Sequence, residues 1–269
     1  RGVVVLRPAE GRLTGADSGP GRLPEPEDIE ATCLAVLAQA DAAGAMAAQD
    51  LRGLNVVISA GGTREALDPV RYVGNFSSGL MGIALARAAV QRGADVTLVG
   101  ANLHAEPPAG VRVVEVVSTA DLAAAMAELA PSADVVVMAA APADYTPAAP
   151  SDTKLKKSGD AGLTVEFRQT TDVLAGLAAR RPVGQIVVGF AAETARDEAE
   201  LIELGTAKLA RKGCQLLVLN NVSDGAVFGS GENEVLLIAP VGSRGRAAGT
   251  KTTVAHAILH AAIAERSAE

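Results

Sequence analysis

Short apolar runs rich in β-branched residues alternate with helical segments along most of the chain, and this alternation limits the fold more than any other feature. The runs predict strands at residues 54–59, 95–100, 111–116, 134–140, 163–168, 185–190, 214–219 and 235–239. Helical patterns predict helices at residues 79–92, 119–129, 172–180, 197–212 and 250–266. Strands separated by such helices are typical of βαβ units, and a wholly apolar strand such as VVVMAA at 135–140 indicates burial on both faces. We therefore predict an α/β fold with a Rossmann-like, doubly wound, mostly parallel sheet.

Two segments fall outside this alternation. Residues 8–28 are rich in Pro, Gly and charge, which predicts loops, and an Ala-rich stretch predicts a helix at 26–48. Near the C-terminus, the turn signals of residues 228–235 predict a projecting flap.

Composition excludes several classes of protein. The net charge of −7 argues against a nucleic-acid-binding surface. Two cysteines, Cys33 and Cys214, cannot build a disulfide framework, and without a CxxC motif a zinc site is not expected. No apolar run approaches the roughly 18 residues that a bilayer span needs. The hydrophobic stretch at the start of the sequence is too short for a signal peptide. We expect a cytoplasmic protein without a membrane or nucleic-acid partner.

Ligands of open α/β sheets bind beyond the carboxyl ends of the strands, so the segments that follow each strand are the candidate site. The first strand leads into a loop of about twenty residues, far longer than a usual βα connection. Ser77, Ser78 and Gly79 end this loop at a predicted helix N-terminus, where free N–H groups attract anions. The alternative, a plain helix cap, leaves the length of the loop unexplained.

The glycine pattern does not match a dinucleotide-binding fingerprint. Gly61 and Gly62 are adjacent, so GxGxxG fails, and neither tyrosine has a lysine four residues later. No Ser–His–Asp arrangement is indicated either. The remaining chemistry is charge stabilisation and positioning, as in phosphoryl- and nucleotidyl-transfer enzymes.

Lysine is scarce, with six residues against eighteen arginines, and its placement is uneven. Three lysines fall in KLKK at 154–157, Lys208 and Lys212 share one face of a predicted helix, and Lys251 lies elsewhere. A compact ammonium group fits between phosphate oxygens, which favours a phosphate-binding role for these lysines. The alternative is that the run of charged residues is simply a solvent-exposed surface. Asp144, at a strand exit, can bind a base, a ribose or a metal, and Phe190 can stack on a base or fill the core.

Taken together, these segments resemble phosphopantothenoylcysteine synthetase, the ligase half of the bifunctional bacterial coenzyme A biosynthesis flavoprotein. The similar motifs are SAGGT (59–63), NFSSG (75–79), AAPADY (140–145), KLKK (154–157), GFAAET (189–194), KLARK (208–212) and the asparagines at 220–221. They occur in the order of the family from about residue 50 to the C-terminus.

The resemblance implies a reaction in which CTP activates the carboxylate of 4′-phosphopantothenate. An acyl-cytidylate forms with loss of pyrophosphate, and the amine of cysteine then attacks it. Asn75 matches the family's asparagine that is implicated in converting the acyl-cytidylate. Lys154 matches the lysine that is needed to form the acyl-cytidylate. Substrate contacts are implied for Arg71, Ala141, Ser77, Ser78 and Gly79. Nucleotide contacts are implied for Met138, Ala139, Ala140, Asp144, Lys154, Asp172, Val173, Leu174, Phe190, Lys208 and Lys212.

The same resemblance implies Mg²⁺ with the triphosphate, its ligands unidentified, and a homodimer in which the flap takes part. Residues 1–50 resemble the tail of the decarboxylase half plus a linker helix, and 51–269 the ligase domain. Gly15 stands where the decarboxylase has its catalytic cysteine, and the flavin-binding portion of that family is absent, so neither decarboxylase activity nor FMN is expected on this chain. The decarboxylase domain is expected in the full polypeptide. The alternatives are a Rossmann-type nicotinamide or nucleotide-sugar enzyme and a non-catalytic nucleotide-binding module.

Overall fold

The computed structural model describes residues 5–6, 8–12, 17–26, 28–30, 32–33, 49–157, 162–222 and 232–268. Its strands are β1 (Ala9–Arg12), β2 (Ser18–Arg22), β3 (Asn55–Gly61), β4 (Glu65–Ala66), β5 (Tyr72–Val73), β6 (Asp95–Ala101), β7 (Arg112–Val116), β8 (Val135–Met138), β9 (Tyr145–Pro147), β10 (Phe167–Gln169), β11 (Ile186–Glu193), β12 (Leu216–Asn221), β13 (Glu232–Ala239) and β14 (Gly242–Thr250). Its helices are α1 (Leu80–Gln91), α2 (Thr119–Leu129), α3 (Val173–Ala179), α4 (Glu198–Lys212) and α5 (Lys251–Ala268), with a 3₁₀ turn at Ala130–Ser132.

An eight-stranded sheet forms the centre of the molecule, in the order β14-β13-β12-β11-β8-β3-β6-β7. The six strands from β12 to β7 are parallel, and β13 and β14 add an antiparallel hairpin at one edge. The six parallel strands follow the doubly wound order in which the chain starts in the middle and builds outwards in both directions. The predicted α/β class is thus confirmed.

Some predicted elements differ from the observed ones. Of the strand predicted at 163–168, only residues 167–168 are strand, within β10, which pairs antiparallel with β9 outside the central sheet. Residues 8–28 are not all loop, since β1 and β2 pair antiparallel there. The sequence also missed β14, whose Gly- and Arg-containing stretch GSRGRAAGT lacks an apolar alternation. Of the helix predicted at 26–48, residues 26, 28–30 and 32–33 are helical, and the remainder lies outside the described residues.

The helices form two layers on the sheet. One aliphatic cluster joins α1 and α5 to one face, and a second joins α2, α3 and α4 to the other. Both clusters are built mainly from Ala, Val, Leu and Ile, and the second also contains Met126, Met138 and Cys214, as the low aromatic content requires. Among the described helices, none has the length and apolarity that a membrane span needs.

Helix α1 packs unusually close to β3, and this sets the position of its N-terminus. A Cβ on Gly82 would lie 2.3 Å from the Cβ of Ala60, so only glycine allows this approach. At the end of β3, Gly61 has a φ of +85°, and a Cβ there would lie 2.0 Å from the carbonyl oxygen of Ala101. These contacts hold the first turn of α1 beside the carboxyl end of β3.

Candidate functional site

A cleft of about 800 Å³ lies at the carboxyl ends of the parallel strands. It spans the ends of β3 and β8, where the strand order reverses and where doubly wound sheets bind their ligands. Most of the predicted site residues line it: Asn75, Ser77, Ser78, Gly79, Met138, Ala139, Ala140, Ala141, Asp144, Asp172, Val173, Leu174, Phe190, Lys208 and Lys212. Arg71 and Lys154 are not among its lining residues.

Hydrogen bonds between the segments that follow β3 and β8 build the floor of the cleft. The backbone N–H of Ala140 donates to Ser59 Oγ (3.1 Å), and that of Ala143 donates to Thr63 Oγ1 (2.8 Å). Both hydroxyl-bearing side chains are buried. The polar residues of the SAGGT motif therefore serve to hold the second motif in place.

Asn75 sits at the junction of these two segments. Its Nδ2 donates to the carbonyl oxygen of Pro142 at 2.9 Å, which orients the amide and leaves a second hydrogen on the same nitrogen. A Cβ on Gly62 would lie 2.8 Å from the carbonyl oxygen of Asn75, so the glycine lets the loop approach. The structure thus presents an oriented amide at the switch point of the sheet.

The N-terminus of α1 opens into the cleft. Gly79, with a φ of 78°, precedes the helix; no side chain caps the first turn, and that turn holds no acidic residue. Leu80, Met81 and Gly82 of the first turn also line the cleft. Because the first N–H groups of a helix have no intrahelical partner and carry the positive end of the helix dipole, this turn favours an anion.

The two lysines of α4 face the cleft, and each already has a carboxylate partner. Lys208 forms an ion pair with Glu193, and Lys212 forms one with Asp172. Asp172 also caps α3, since its Oδ1 accepts the N–H of Ala175 at 3.1 Å. Burial opposes ionisation of Asp172, but the hydrogen bonds from Lys212 and Ala175 outweigh it, and its pKa is lowered. A phosphate that enters must therefore share these ammonium groups with carboxylates.

Arg71 and the KLKK motif meet outside the cleft lining. Arg71 donates from Nε to Asp68 Oδ2 (2.9 Å) and from Nη2 to the carbonyl oxygen of Leu155 (2.5 Å). The N–H of Leu155 donates to the same Asp68 oxygen at 3.1 Å. The Arg71 hydrogen bond, opposed by burial and aided by backbone N–H groups, holds the pKa of Asp68 well below its usual range. Arg71 therefore anchors the segment that begins with Lys154.

Half of the cleft-lining residues were not among the predicted site residues, and Asn220, Asn233 and Lys251 are three of these. Asn220 Oδ1 is buried and has no hydrogen-bond partner among the described residues. From the sequence, Lys251 was expected to lie away from the other lysines. No local sequence pattern shows that the β13–β14 hairpin brings the chain back to the cleft. Of the flap predicted at 228–235, residues 228–231 lie outside the described part, and residues 232–235 begin β13.

Metal ligation by the protein alone is not indicated in the part of the chain that the structure describes. That part contains no group of three or more His, Cys, Asp or Glu residues arranged to hold a metal ion. Asp144 and Asp172 are the carboxylates that line the cleft. One or two carboxylates fit Mg²⁺ that is bound mainly by substrate phosphates and water.

Comparison with known proteins agrees with this fold. Residues 51–265 match the model of the family "DNA/pantothenate metabolism flavoprotein C-terminal domain". The chain is 47% identical over 270 residues to the coenzyme A biosynthesis bifunctional protein CoaBC of Mycobacterium tuberculosis, covering 98% of this chain but 64% of that protein. A crystal structure of the C-terminal domain of a CoaBC protein superposes with a TM-score of 0.65 at 34% identity, over 79% of this chain and 95% of that one. A variant of Cab2 in complex with phosphopantothenate-cysteine shares the fold, with a TM-score of 0.64 at 18% identity, over 84% of this chain and 92% of that one.

Proposed function

The chain belongs to the DNA/pantothenate metabolism flavoprotein C-terminal domain family, and we propose that it is a ligase of coenzyme A biosynthesis. The proposed reaction joins 4′-phosphopantothenate to L-cysteine at the expense of CTP. The observation that carries the proposal is the cleft at the switch point, which gathers an oriented amide, an uncapped helix N-terminus and lysines from separate elements.

The names of the related proteins support the same reaction. The CoaBC relatives are described as bifunctional proteins of coenzyme A biosynthesis, and the Cab2 complex contains phosphopantothenate-cysteine, the product of such a ligase. This chain spans 64% of the length of the first CoaBC relatives. We therefore assign residues 51–269 to the ligase domain, and residues 1–50 to the tail of a decarboxylase half with a linker helix.

The first step forms the acyl-cytidylate. A carboxylate oxygen of 4′-phosphopantothenate attacks the α-phosphorus of CTP, the bond between the α-phosphorus and the bridging oxygen breaks, and pyrophosphate leaves with its electron pair. Lys208, Lys212 and the first turn of α1 are placed to neutralise the phosphates. Lys154 lies outside the cleft lining. It can act in this step if its segment closes over the nucleotide, or if the Lys154 of the second chain of a homodimer reaches the cleft.

The second step forms the amide. The amine of cysteine attacks the acyl carbon, CMP leaves, and the ammonium proton passes to the leaving phosphate or to water. We assign Asn75 to the oxygen that gains charge in the tetrahedral intermediate, through the second hydrogen of its Nδ2. Loss of one donor of this kind typically costs about 2.7–4 kcal/mol of transition-state stabilisation.

Nucleoside recognition falls to the remaining predicted residues of the cleft. Asp144 is an acceptor for the ribose or the base, and Phe190, which lies at the boundary of the core, offers a face for stacking. Mg²⁺ bound to the triphosphate would screen its charge, with Asp144 and Asp172 as the carboxylates within the cleft. FMN is not expected on this chain. We further propose that the protein acts in the cytoplasm as a homodimer.

Pyrophosphate release tests this proposal against its alternatives. The protein is mixed with CTP, ATP, GTP or UTP, each with and without 4′-phosphopantothenate and cysteine. A ligase releases pyrophosphate only when both CTP and 4′-phosphopantothenate are present, and cysteine sustains turnover. A nicotinamide or nucleotide-sugar enzyme, or a non-catalytic nucleotide-binding module, releases none under any of these conditions.

A further inference from the structure

Lys251 is a cleft residue whose position depends on the hairpin of β13 and β14. Thr250, the last residue of β14, pairs with Glu232 at the start of β13, and α5 begins at Lys251. Asn233, the next residue of β13, lies beside the first turn of α1, with its Nδ2 3.8 Å from the sulfur of Met81. Lys251, Asn233 and Met81 all line the cleft. The hairpin therefore brings an ammonium group to the end of the cleft at which α1 begins.

This ammonium group approaches from the face of the sheet opposite to α4. Helices α1 and α5 pack in one aliphatic cluster, whereas α4 packs in the cluster on the other face. Lys208 and Lys212 of α4 are each neutralised in part by a carboxylate. Among the described residues that line the cleft, Lys251 is the cationic residue on the face of α1 and α5, so a ligand across the strand ends meets cationic side chains from both faces.

The surroundings of Lys251 favour an anionic ligand. The side chain is half-buried, and burial lowers its pKa, which means that desolvation opposes its charge. A nearby anion reverses this penalty, because opposite charges stabilise each other most strongly where water is partly excluded. The first turn of α1 offers its N–H groups at the same end of the cleft, and Gly79 leaves them without a side-chain cap.

We propose that Lys251, at the start of α5, is a phosphate-binding residue of the cleft. Its ammonium group contacts a phosphate that the N–H groups of the first turn of α1 also bind. The inference deepens the proposed function and rests on it for the identity of the ligand. Two reactants of the proposed ligase carry phosphate, namely the nucleotide and 4′-phosphopantothenate. Both reactants carry a terminal phosphate group with up to two negative charges, and this group is the ligand that we propose for Lys251.

Direct binding of inorganic pyrophosphate and inorganic phosphate, measured by titration calorimetry, tests Lys251 without any need for turnover. Lys251→Gln removes the charge and keeps most of the stem, and Lys251→Arg keeps the charge. Arg112→Gln, at an exposed residue of β7, is the matched control for loss of one positive charge. We expect Lys251→Gln to weaken pyrophosphate binding at least about tenfold, the loss of one charge-assisted hydrogen bond. Lys251→Arg weakens it less, and Arg112→Gln leaves it unchanged.

Unchanged pyrophosphate affinity in Lys251→Gln would overturn the proposal, and so would an unaltered protein that binds neither anion. Lys251→Met, which also keeps the buried stem, repeats the measurement should the Gln variant fail to fold. The KM values then identify the source of the phosphate, because the variant raises the KM for either CTP or 4′-phosphopantothenate more than the other. A protein that loses pyrophosphate binding on substitution of Lys251, but shows no ligase activity when unaltered, would reject the proposed function and retain the phosphate site.

Discussion

Arg71 donates a hydrogen bond to the carbonyl oxygen of Leu155 across 84 positions of sequence. Asp68 completes the link, since it binds both the guanidinium of Arg71 and the N–H of Leu155. The long loop after β3 therefore holds the start of the KLKK motif. This relationship gives Arg71 a structural role that is separate from the substrate contact implied by the family resemblance.

Arg71→Ala is expected to release the segment that carries Lys154. Both the hydrogen bond to Leu155 and the charge partner of Asp68 are lost, so trypsin should cleave after Lys154, Lys156 and Lys157 several-fold faster in the folded protein. Limited proteolysis followed by mass spectrometry measures this. Arg112→Ala serves as the control. An unchanged cleavage rate would show that the anchor contributes nothing to the order of the segment.

Asn75→Ala is expected to fold and to form the acyl-cytidylate but to convert it slowly. The change removes the donor that we assign to the reacting oxygen, so cysteine-dependent turnover should fall roughly 100- to 1,000-fold. Quenched reactions analysed by mass spectrometry should show the cytidylate accumulating with an early release of pyrophosphate. Asn221→Ala, at the end of β12, is a control for loss of an amide that does not line the cleft. Normal cysteine-dependent turnover in Asn75→Ala would refute the assigned role.

Gly82→Ala is expected to push α1 away from β3. The added methyl group would lie 2.3 Å from the Cβ of Ala60, and overpacking of this kind typically costs about 1–3 kcal/mol. Gly176→Ala is the matched control in α3, where the nearest atom would be 3.5 Å away. That change should be neutral or stabilise by about 0.5–1 kcal/mol. Urea unfolding measures both, and equal effects of the two substitutions would contradict the close approach.

Arg92→Ala is expected to be among the most destabilising single changes. The Arg92 side chain is fully buried and donates to both carboxylate oxygens of Asp50, at 2.8 and 2.6 Å, and to the carbonyl oxygen of His256. Truncation of a large buried side chain typically costs about 2–5 kcal/mol, and three hydrogen bonds are lost with it here. Denaturant unfolding measures the loss. The double variant Arg92→Met with Asp50→Asn should lose less than the sum of the two single changes, and strict additivity would mean that the pair is not coupled.

His256 should make stability depend on pH in a defined window. Burial, with the charge of Arg92, lowers its pKa from 6.5 to about 4, so the folded protein keeps it neutral where the unfolded chain protonates it. Stability is therefore complete above about pH 6.5 and falls as the pH drops towards 4, by up to about 3 kcal/mol at roughly 1.36 kcal/mol per unit. His256→Gln should flatten this part of the stability curve. His260→Gln, at an exposed position of the same helix, should not, and identical curves for all three proteins would contradict the assignment.

The parallel core of the fold could be predicted from sequence because each of its elements is encoded locally. Apolar β-branched runs and 3.6-residue periodicity mark β3, β8 and their neighbours without any knowledge of tertiary contacts. The hairpin strand β14 could not be predicted this way, since its Gly- and Arg-containing sequence lacks the apolar alternation of a strand and its partner β13 is known only from the fold. The position of strand β10 could not be predicted for a related reason. Its partner is β9, a short strand in the segment that follows β8, and no local pattern in β10 indicates this pairing.

The candidate site shows the same division. Residues in the segments that follow a strand, such as Asn75 and Asp144, could be expected near the strand ends from the fold class alone. Lys251 could not, because it reaches the cleft only through the β13–β14 hairpin. The position of Lys154 outside the cleft depends likewise on the anchor formed by Arg71 and Asp68, which lie more than eighty residues earlier.

The most direct test of the central claim is the mass of the product formed from CTP, 4′-phosphopantothenate and L-cysteine. The account predicts 4′-phosphopantothenoylcysteine, whose mass equals that of the two acids joined with loss of one water. It also predicts one CMP and one pyrophosphate for each amide formed. CTP that stays intact, or is consumed without an amide between the two acids, would contradict the proposed ligase.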